Sequence, residues 1–483
     1  MKNSNSLSQS HKILFLNTLA FTICFACWTL NGVLVTFLVD NGIFKWSVVQ
    51  VGWLLGIPIL TGSIMRLPIG ILTDKFGGKY VFSILLLLCS IPLFLLPLAD
   101  SFFMFALLSF LFGMVGTSFA VGIGFTSIWY PKEWQGRALG IFGMGNAGAA
   151  ITTFLAPSLL NHFSVEDPQN GWKLLPIIYG AALVIIGVVF LIFAKNKKIE
   201  NQTKTVTEML QSLKSARVWR FGAYYFLVFG CFVAYSQWLL PNFMNVYQTS
   251  LVMGGLFATM FSLPSGVIRA FGGYLSDKYG ARKVMYWVLS SSVVLSALLM
   301  VPKMDITTSG PGVMAGKKGT ITAVTETNVK VGDKDFPINK KIEKPLESSI
   351  FPTKNSWQEV VVTQNQDVKK KELLARGITA IHFDANMWVY LVLVILIGIS
   401  WVIGNAAVYK HIPEYFPTEV GGLGGFFGPI IFGYLLTATG IWSSSWIFVL
   451  LFSAICLVWM HYTVTKIMNE KQPTLSREME RKK

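Results

Sequence analysis

The chain has 483 residues, of which 53% are hydrophobic and only 13% charged, against roughly 25% charged residues in a soluble globular domain. That excludes an ordinary water-soluble enzyme: apolar runs of about twenty residues, each able to cross a hydrocarbon core about 30 Å thick, recur along most of the chain. The net charge of +16 does not require a nucleic-acid partner, because the places where the charges fall explain it as membrane topology.

In chain order, a short polar stretch at 2–12 leads into an apolar run at 13–39. The run is too long for a secretory signal and lacks a clear cleavage site, so it reads as the first membrane span. Spans at 48–72, 81–98, 102–129, 138–160 and 174–194 complete a six-span half over 13–194. The central loop at 195–220 is polar and basic, with seven Lys or Arg against Glu200 and Glu208. Spans at 221–246, 251–275 and 284–301 follow, within 221–302, and then a segment at 303–385 of different composition. Gly, Thr, Val and Lys alternate through 319–331, which predicts short strands, and 367–381 reads as a helix leading into span ten. Spans ten to twelve are predicted at 387–409, 421–439 and 442–465, within 386–465, ahead of a basic tail at 466–483.

Twelve spans put both termini on one side of the membrane. Of the 40 Lys and Arg, 23 fall on the side of the termini and central loop, 13 in 303–385, two in other short loops and two inside spans. Positive residues stay inside, so the termini are cytoplasmic and 303–385 is a small, mostly β external insertion. The expected fold class is an all-α polytopic protein of the cell (inner) membrane, built from two pseudo-symmetric six-helix halves. Membrane lipid is the expected surrounding partner, and a monomer is expected. All five cysteines lie in apolar spans, so neither a disulfide framework nor a zinc site follows, and no cofactor is predicted.

The halves repeat each other. Arg66, Gly70, Asp74, Lys75, Gly77, Lys79 and Val81 around the end of span two match Arg269, Gly273, Asp277, Lys278, Gly280, Arg282 and Val284 around the end of span eight, at a constant offset of 203. A second repeat pairs Trp129, Tyr130, Pro131 and Glu133 with Tyr415, Phe416, Pro417 and Glu419 at an offset of 286. The offsets differ by 83 residues, which the segment 303–385 accounts for as an insertion into a duplicated unit. The pattern G-x-x-x-D-K-x-G-x-K/R resembles the cytoplasmic loop motif of the major facilitator superfamily. Its Asp can latch one conformation by meeting opposite charge and a helix N-terminus.

Arg66 lies eight residues before Asp74, about 12 Å along a helix, and Arg269 and Asp277 repeat the spacing. If the aspartates mark the cytoplasmic surface, both arginines sit near the membrane midplane, where an uncompensated guanidinium costs at least ~3 kcal/mol. No Asp or Glu falls in the middle third of any span. The missing counter-charge is most simply a bound anion held between two forked donors, with carbonyls and aromatic faces as the alternative. Span five carries Gly140, Gly143, Gly145, Asn146 and Gly148, and span eleven Gly421, Gly422, Gly424, Gly425 and Gly428. Most of these glycines read as close helix packing. Asn146 is a buried amide that needs partners and can donate to an anion.

At these residues the chain resembles the nitrate/nitrite porter family of the major facilitator superfamily, marked by an Arg in each of spans two and eight and Gly-rich signatures in spans five and eleven. The resemblance implies transport of nitrate and nitrite, with Arg66, Arg269 and Asn146 as substrate contacts, and Gly143, Gly145, Gly148, Gly422, Gly424 and Gly425 as signature glycines. It also implies that Tyr225 and Phe229 of span seven line the site with a hydroxyl and an aromatic face. One departure lies in span eleven, where only 12 residues separate Pro417 from Pro429, against 26 between Pro131 and Pro157. Competing readings are proton-coupled nitrate uptake, a carrier of another small anion, and an anion sensor signalling through 303–385 or the central loop. An enzyme is disfavoured, since the five histidines are scattered near span ends and in loops. With no carboxylate or His at mid-depth to carry a proton, exchange of nitrate against nitrite is expected over obligatory proton symport.

Overall fold

The computed structural model describes residues 2–197, 216–301, 303–341, 353–383, 385–409 and 419–470. The chain divides into two compact units, one of Met1–Met300 with Leu391–Lys483 and one of Val301–Tyr390.

The larger unit is helical, as a lipid-spanning chain must be when no water is at hand to satisfy backbone groups. Its helices are α1 (Lys2–Trp28), α2 (Leu30–Asp40), α3 (Val48–Ile64), α4 (Arg66–Phe76), α5 (Gly78–Leu95), α6 (Phe102–Gly113), α7 (Ser118–Ser127), α8 (Lys132–Gly143), α9 (Gly148–Ser164) and α10 (Leu174–Phe193). After the central loop come α11 (Ala216–Tyr225), α12 (Phe232–Tyr247), α13 (Leu251–Ser262), α14 (Ser265–Tyr279), α15 (Ala281–Leu299), α16 (Met387–Tyr409), α17 (Glu419–Thr439) and α18 (Ser444–Glu470). Among the described residues nine helical segments are long and apolar enough to cross a membrane, and the α3–α4 pair, bent by 43°, is a tenth. Two shorter apolar helices, Leu251–Ser262 and Phe427–Thr439, fall where spans eight and eleven are predicted. Leu98, Ile185, Ile192 and Val458 are each more than 60% exposed, an apolar outer surface suited to acyl chains rather than water.

Several spans are built from two pieces. A 3₁₀ segment, Met114–Thr117, joins α6 to α7, another, Met144–Ala147, joins α8 to α9, and a π-helical segment, Phe226–Cys231, joins α11 to α12. The α3–α4 break has a sequence cause: Pro68 has no N–H for the Ile64 carbonyl. Pro58 likewise frees the Leu54 carbonyl inside α3, and the Asn31 side-chain amide donates to it at 2.7 Å.

The two helical halves meet through backbone. A methyl group added at Gly52 would lie 2.6 Å from the Pro429 oxygen, at Gly255 2.5 Å from the Thr153 oxygen, and at Gly433 3.0 Å from the Val48 oxygen. The Thr153 and Thr259 hydroxyls are hydrogen-bonded across the same seam at 2.8 Å. Gly52, Val48, Thr153, Gly255, Thr259 and Gly433 lie in the halves of their spans nearer the loops at 41–47, 165–170, 248–250 and 440–443, and Pro429 lies at the middle of α17.

The smaller unit is all β. Its strands are β1 (Met304–Met314), β2 (Gly319–Val324), β3 (Asn328–Val331), β4 (Lys334–Pro337), β5 (Thr353–Val360), β6 (Asp367–Val368) and β7 (Leu373–Phe383). They form antiparallel sheets of order β1-β7-β5 and β4-β3-β2-β6. Ile321, Val329, Val368, Leu374 and Ala375 make up much of its own apolar core. The helix expected over 367–381 is not there: β6 and β7 occupy it. Ile378, Thr379 and Ile381 are β-branched, and β7 is the central strand, paired on one side with β1 and on the other with β5. Two long ladders outweigh a weak local helical pattern.

Met304 and Phe383 are direct partners, so the chain enters and leaves this unit at points about 5 Å apart. Replacing 303–385 by a short Gly/Ser linker is therefore expected to leave the helical unit folded, with its thermal midpoint in detergent within about 5 °C of the intact chain. A variant that inserts into the membrane but loses cooperative melting would refute this.

Candidate functional site

Arg66 is the first residue of α4, placed at the bend by the Pro68 break. It is only 1% exposed, and its guanidinium carbon lies 5.8 Å from the Trp28 ring, 5.4 Å from Phe119 and 5.8 Å from Phe229. These rings come from spans one, four and seven, and Phe229 belongs to the other half of the repeat. Aromatic faces ease the burial of the charge but accept no conventional hydrogen bonds. Nε and Nη1 of Arg66 have no hydrogen-bond partner among the described residues.

Arg269, half-buried on α14, brings its guanidinium to 5.7 Å from the same Phe119 ring. The two guanidinium carbons are therefore at most about 11 Å apart, one from each half of the molecule. The repeat is not symmetric in its backbone. Pro68 follows Arg66 by two residues, whereas the break in span eight falls at Pro264, five residues before Arg269.

Span five reaches this centre through its 3₁₀ segment. Gly143 lies against Arg269, where an added methyl would contact Cδ and Nη1 at 3.6 Å. Asn146, 5% exposed, has no partner for its side-chain oxygen among the described residues. Gly145 and Gly148 act differently, by letting spans one and five touch: an added methyl would meet Phe21 at 2.4 Å and the Thr22 carbonyl oxygen at 2.1 Å, respectively. In span seven Tyr225 and Phe229 stack at 4.9 Å with ring planes 6° apart. Phe229 lies in the π-helical segment, an irregularity often found at functional sites.

The loop motif also takes shape. Gly77 and Gly280 end α4 and α14 with φ of +88° and +83° and ψ of 149° and 133°, a region essentially reserved for glycine. The Asn196 amide donates to the Phe76 carbonyl at 3.0 Å and the Lys197 ammonium to the Ile128 carbonyl at 2.6 Å, so the first residues of the central loop cap the ends of spans two and four. Gly70 and Gly273 face open space. Asp74 and Lys79 are half-buried, and Lys75, Asp277, Lys278 and Arg282 are exposed. Asp74 makes no ion pair among the described residues. Tyr415, Phe416 and Pro417 of the second repeat lie outside the described residues, as do most of the central loop and the tail from 471, while Glu419, Gly422, Gly424 and Gly425 fall in the first turns of α17.

Sequence reasoning missed Trp28 and Phe119. Trp28 donates its indole N–H to the Pro58 carbonyl at 2.8 Å, and Gly62 and Gly116 leave room for its ring. Glycines one helical turn apart in span four mark that close approach, but nothing local shows that both arginines approach Phe119.

The body is helical and polytopic, its two halves each send a guanidinium to one aromatic ring, and the comparisons give its class: a membrane transporter. The profile of the Major Facilitator Superfamily matches residues 16–320. A "Probable nitrate/nitrite antiporter NarK1" of Thermus thermophilus is 34% identical, over 98% of this chain and 95% of that one. The "Nitrite extrusion protein" of Bacillus subtilis (strain 168) is 23% identical over 94% and 96%, and a "Probable nitrate transporter NarT" of Staphylococcus carnosus (strain TM300) is 25% identical over 94% and 96%. Among solved structures, a bacterial homolog to the human lysosomal transporter Spinster, inward-facing and occupied, matches with a TM-score of 0.59 and 14% identity, over 96% of this chain and 98% of that one; at that identity it shows the fold alone. The chain belongs to the nitrate/nitrite porter family of the major facilitator superfamily. It is a multi-pass membrane transporter and not an enzyme.

Proposed function

We propose that this chain exchanges nitrate against nitrite across the cell (inner) membrane by alternating access, with Arg66 and Arg269 gripping the anion between the halves. The observation that carries this reading is the shared Phe119 ring. Two guanidiniums converge on it, and Arg66 keeps two buried donors without partners among the described residues. Nitrate is planar, delocalised and weakly hydrated, so forked donors and aromatic walls can replace its water. Asn146 supplies an amide, and Tyr225 with Phe229 supplies a hydroxyl and a ring face. The names of the curated relatives, which include a nitrate/nitrite antiporter, support the same substrates.

Exchange follows from charge. Without an anion, two guanidiniums within about 11 Å of each other repel in a low-dielectric setting, so the unloaded carrier reorients poorly and the loaded one readily. The termini are cytoplasmic, 303–385 lies outside the membrane, and the carrier works as a monomer in lipid. The test is counterflow in proteoliposomes: labelled nitrate should enter vesicles preloaded with nitrite or nitrate and stay out of vesicles holding no anion. Uptake into anion-free vesicles driven only by an inward proton gradient, with alkalinisation outside, would overturn the exchange mode.

A further inference from the structure

Gln237, in α12, is 1% exposed, and neither its amide nitrogen nor its amide oxygen has a hydrogen-bond partner among the described residues. A fully buried primary amide with both ends unmatched is unusual, because such groups are normally paired. Nor is its position an ordinary core position. An added methyl at Gly32 of α2 would lie 2.9 Å from the Gln237 Cβ, so Gln237 stands on the seam between the halves. Gly32 is one helical turn beyond Trp28, and Gln237 is two turns beyond Phe229, about 6 and 12 Å along the axis. Both steps lead away from the arginines toward the loops at 41–47 and 248–250. Beside Gly32, Asn31 donates its amide to Leu54 and Ser109 at 2.7 and 3.0 Å, and its oxygen has no partner among the described residues.

We propose that Gln237 is a second anion-binding group, at the outer mouth of the carrier, which receives nitrate or nitrite before it reaches the arginines. The seam that buries it is the one closed by Gly52 on Pro429, Gly255 on Thr153 and the Thr153–Thr259 hydroxyl bond. When these helices part, the Gln237 amide is wetted and its two N–H groups face the entering ion. A neutral amide suits a waypoint, since it holds an anion too weakly to trap it. When the seam closes, the ion has moved on to the arginines and the amide is left unmatched, which favours reopening for the next anion. The inference rests on the proposed exchange of nitrate and on the proposed topology.

The test measures the apparent KM for labelled nitrate at each face, with right-side-out cells for the outer face and inverted membrane vesicles for the inner. Gln237→Leu should raise the outer KM about tenfold and leave the inner KM within about twofold, and Gln237→Asn should restore much of the loss, since a tenfold change is the scale of one lost polar contact. Gln237→Glu, nearly isosteric, should raise the outer KM further by repelling the anion, and it serves where the Leu variant is poorly made. An unchanged outer KM would overturn the proposal, as would equal rises at both faces or an inner KM that falls as the outer rises, the mark of a shifted gate rather than a lost contact. If the intact chain exchanges no nitrate at all, it is the proposed function that fails.

Discussion

Arg66→Lys is expected to lower nitrate exchange by about ten- to a hundredfold while leaving the melting temperature of the protein nearly unchanged. The charge is kept, but lysine offers a compact ammonium in place of a planar fork. Losing one hydrogen bond to a charged group costs about 1.5–3 kcal/mol, and each 1.4 kcal/mol is tenfold. Stability should be spared because Nε and Nη1 of Arg66 hold no protein partner among the described residues, so their removal breaks no internal hydrogen bond. Arg269→Lys should follow the same pattern. Its guanidinium shares the Phe119 ring, but the residue is only half-buried, which leaves the new ammonium easier to hydrate and the defect smaller. Counterflow rates and nitrate titration, with thermal melts of the same preparations, check both. Near-normal exchange by both Lys variants would rule out the clamp.

The second large effect is structural and separates glycines that one signature groups together. Gly148→Ala is expected to cost about 3 kcal/mol or more in stability, or to prevent accumulation of folded protein. Its methyl would lie 2.1 Å from the Thr22 oxygen and 2.7 Å from the Ala26 nitrogen, both backbone, so spans one and five must move apart. Overpacking of a tight contact ordinarily costs about 1–3 kcal/mol, and a clash with backbone lies at the upper end. Gly143→Ala should fold normally, because its methyl meets only the flexible Arg269 side chain at 3.6 Å, and its defect should emerge as a few-fold rise in KM. Gly140, facing open space, is the control, where Ala should be neutral or favourable, as it is the better helix former by about 1 kcal/mol. Wild-type melting of Gly148→Ala would refute the assignment.

Legibility from sequence differs by residue, and the reason is physical. Arg66 and Arg269 stand out because a charge at mid-depth among apolar residues is costly enough to need a cause, and because the offset of 203 repeats it. Tyr225 and Phe229 are reachable only by resemblance: one aromatic in a span rich in aromatics carries no mark of its own. The strand β7 escapes a local reading because a sheet ladder draws its stability from partners distant in sequence, here Met304 to Met314 and Thr353 to Val360.

Sequence alone determined the class of this protein: apolar run length, the siting of Lys and Arg, and the duplicated motif are local quantities set by the membrane and by the backbone's need for internal hydrogen bonds. It also marked the two arginines, in a chain whose predicted spans hold no Asp or Glu in their middle thirds. Tertiary structure decided what encloses the arginines. Phe119 lies within 6 Å of both guanidiniums, the Trp28 ring lies against Arg66, Gly143 yields space while Gly148 brings helices together, and Gln237 is sealed into the seam. Each of these depends on which side chain faces which across helices far apart in the chain. A rotation of one residue, about 100° around a helix, exchanges a cage wall for a lipid contact, and only the packed structure sets that angle.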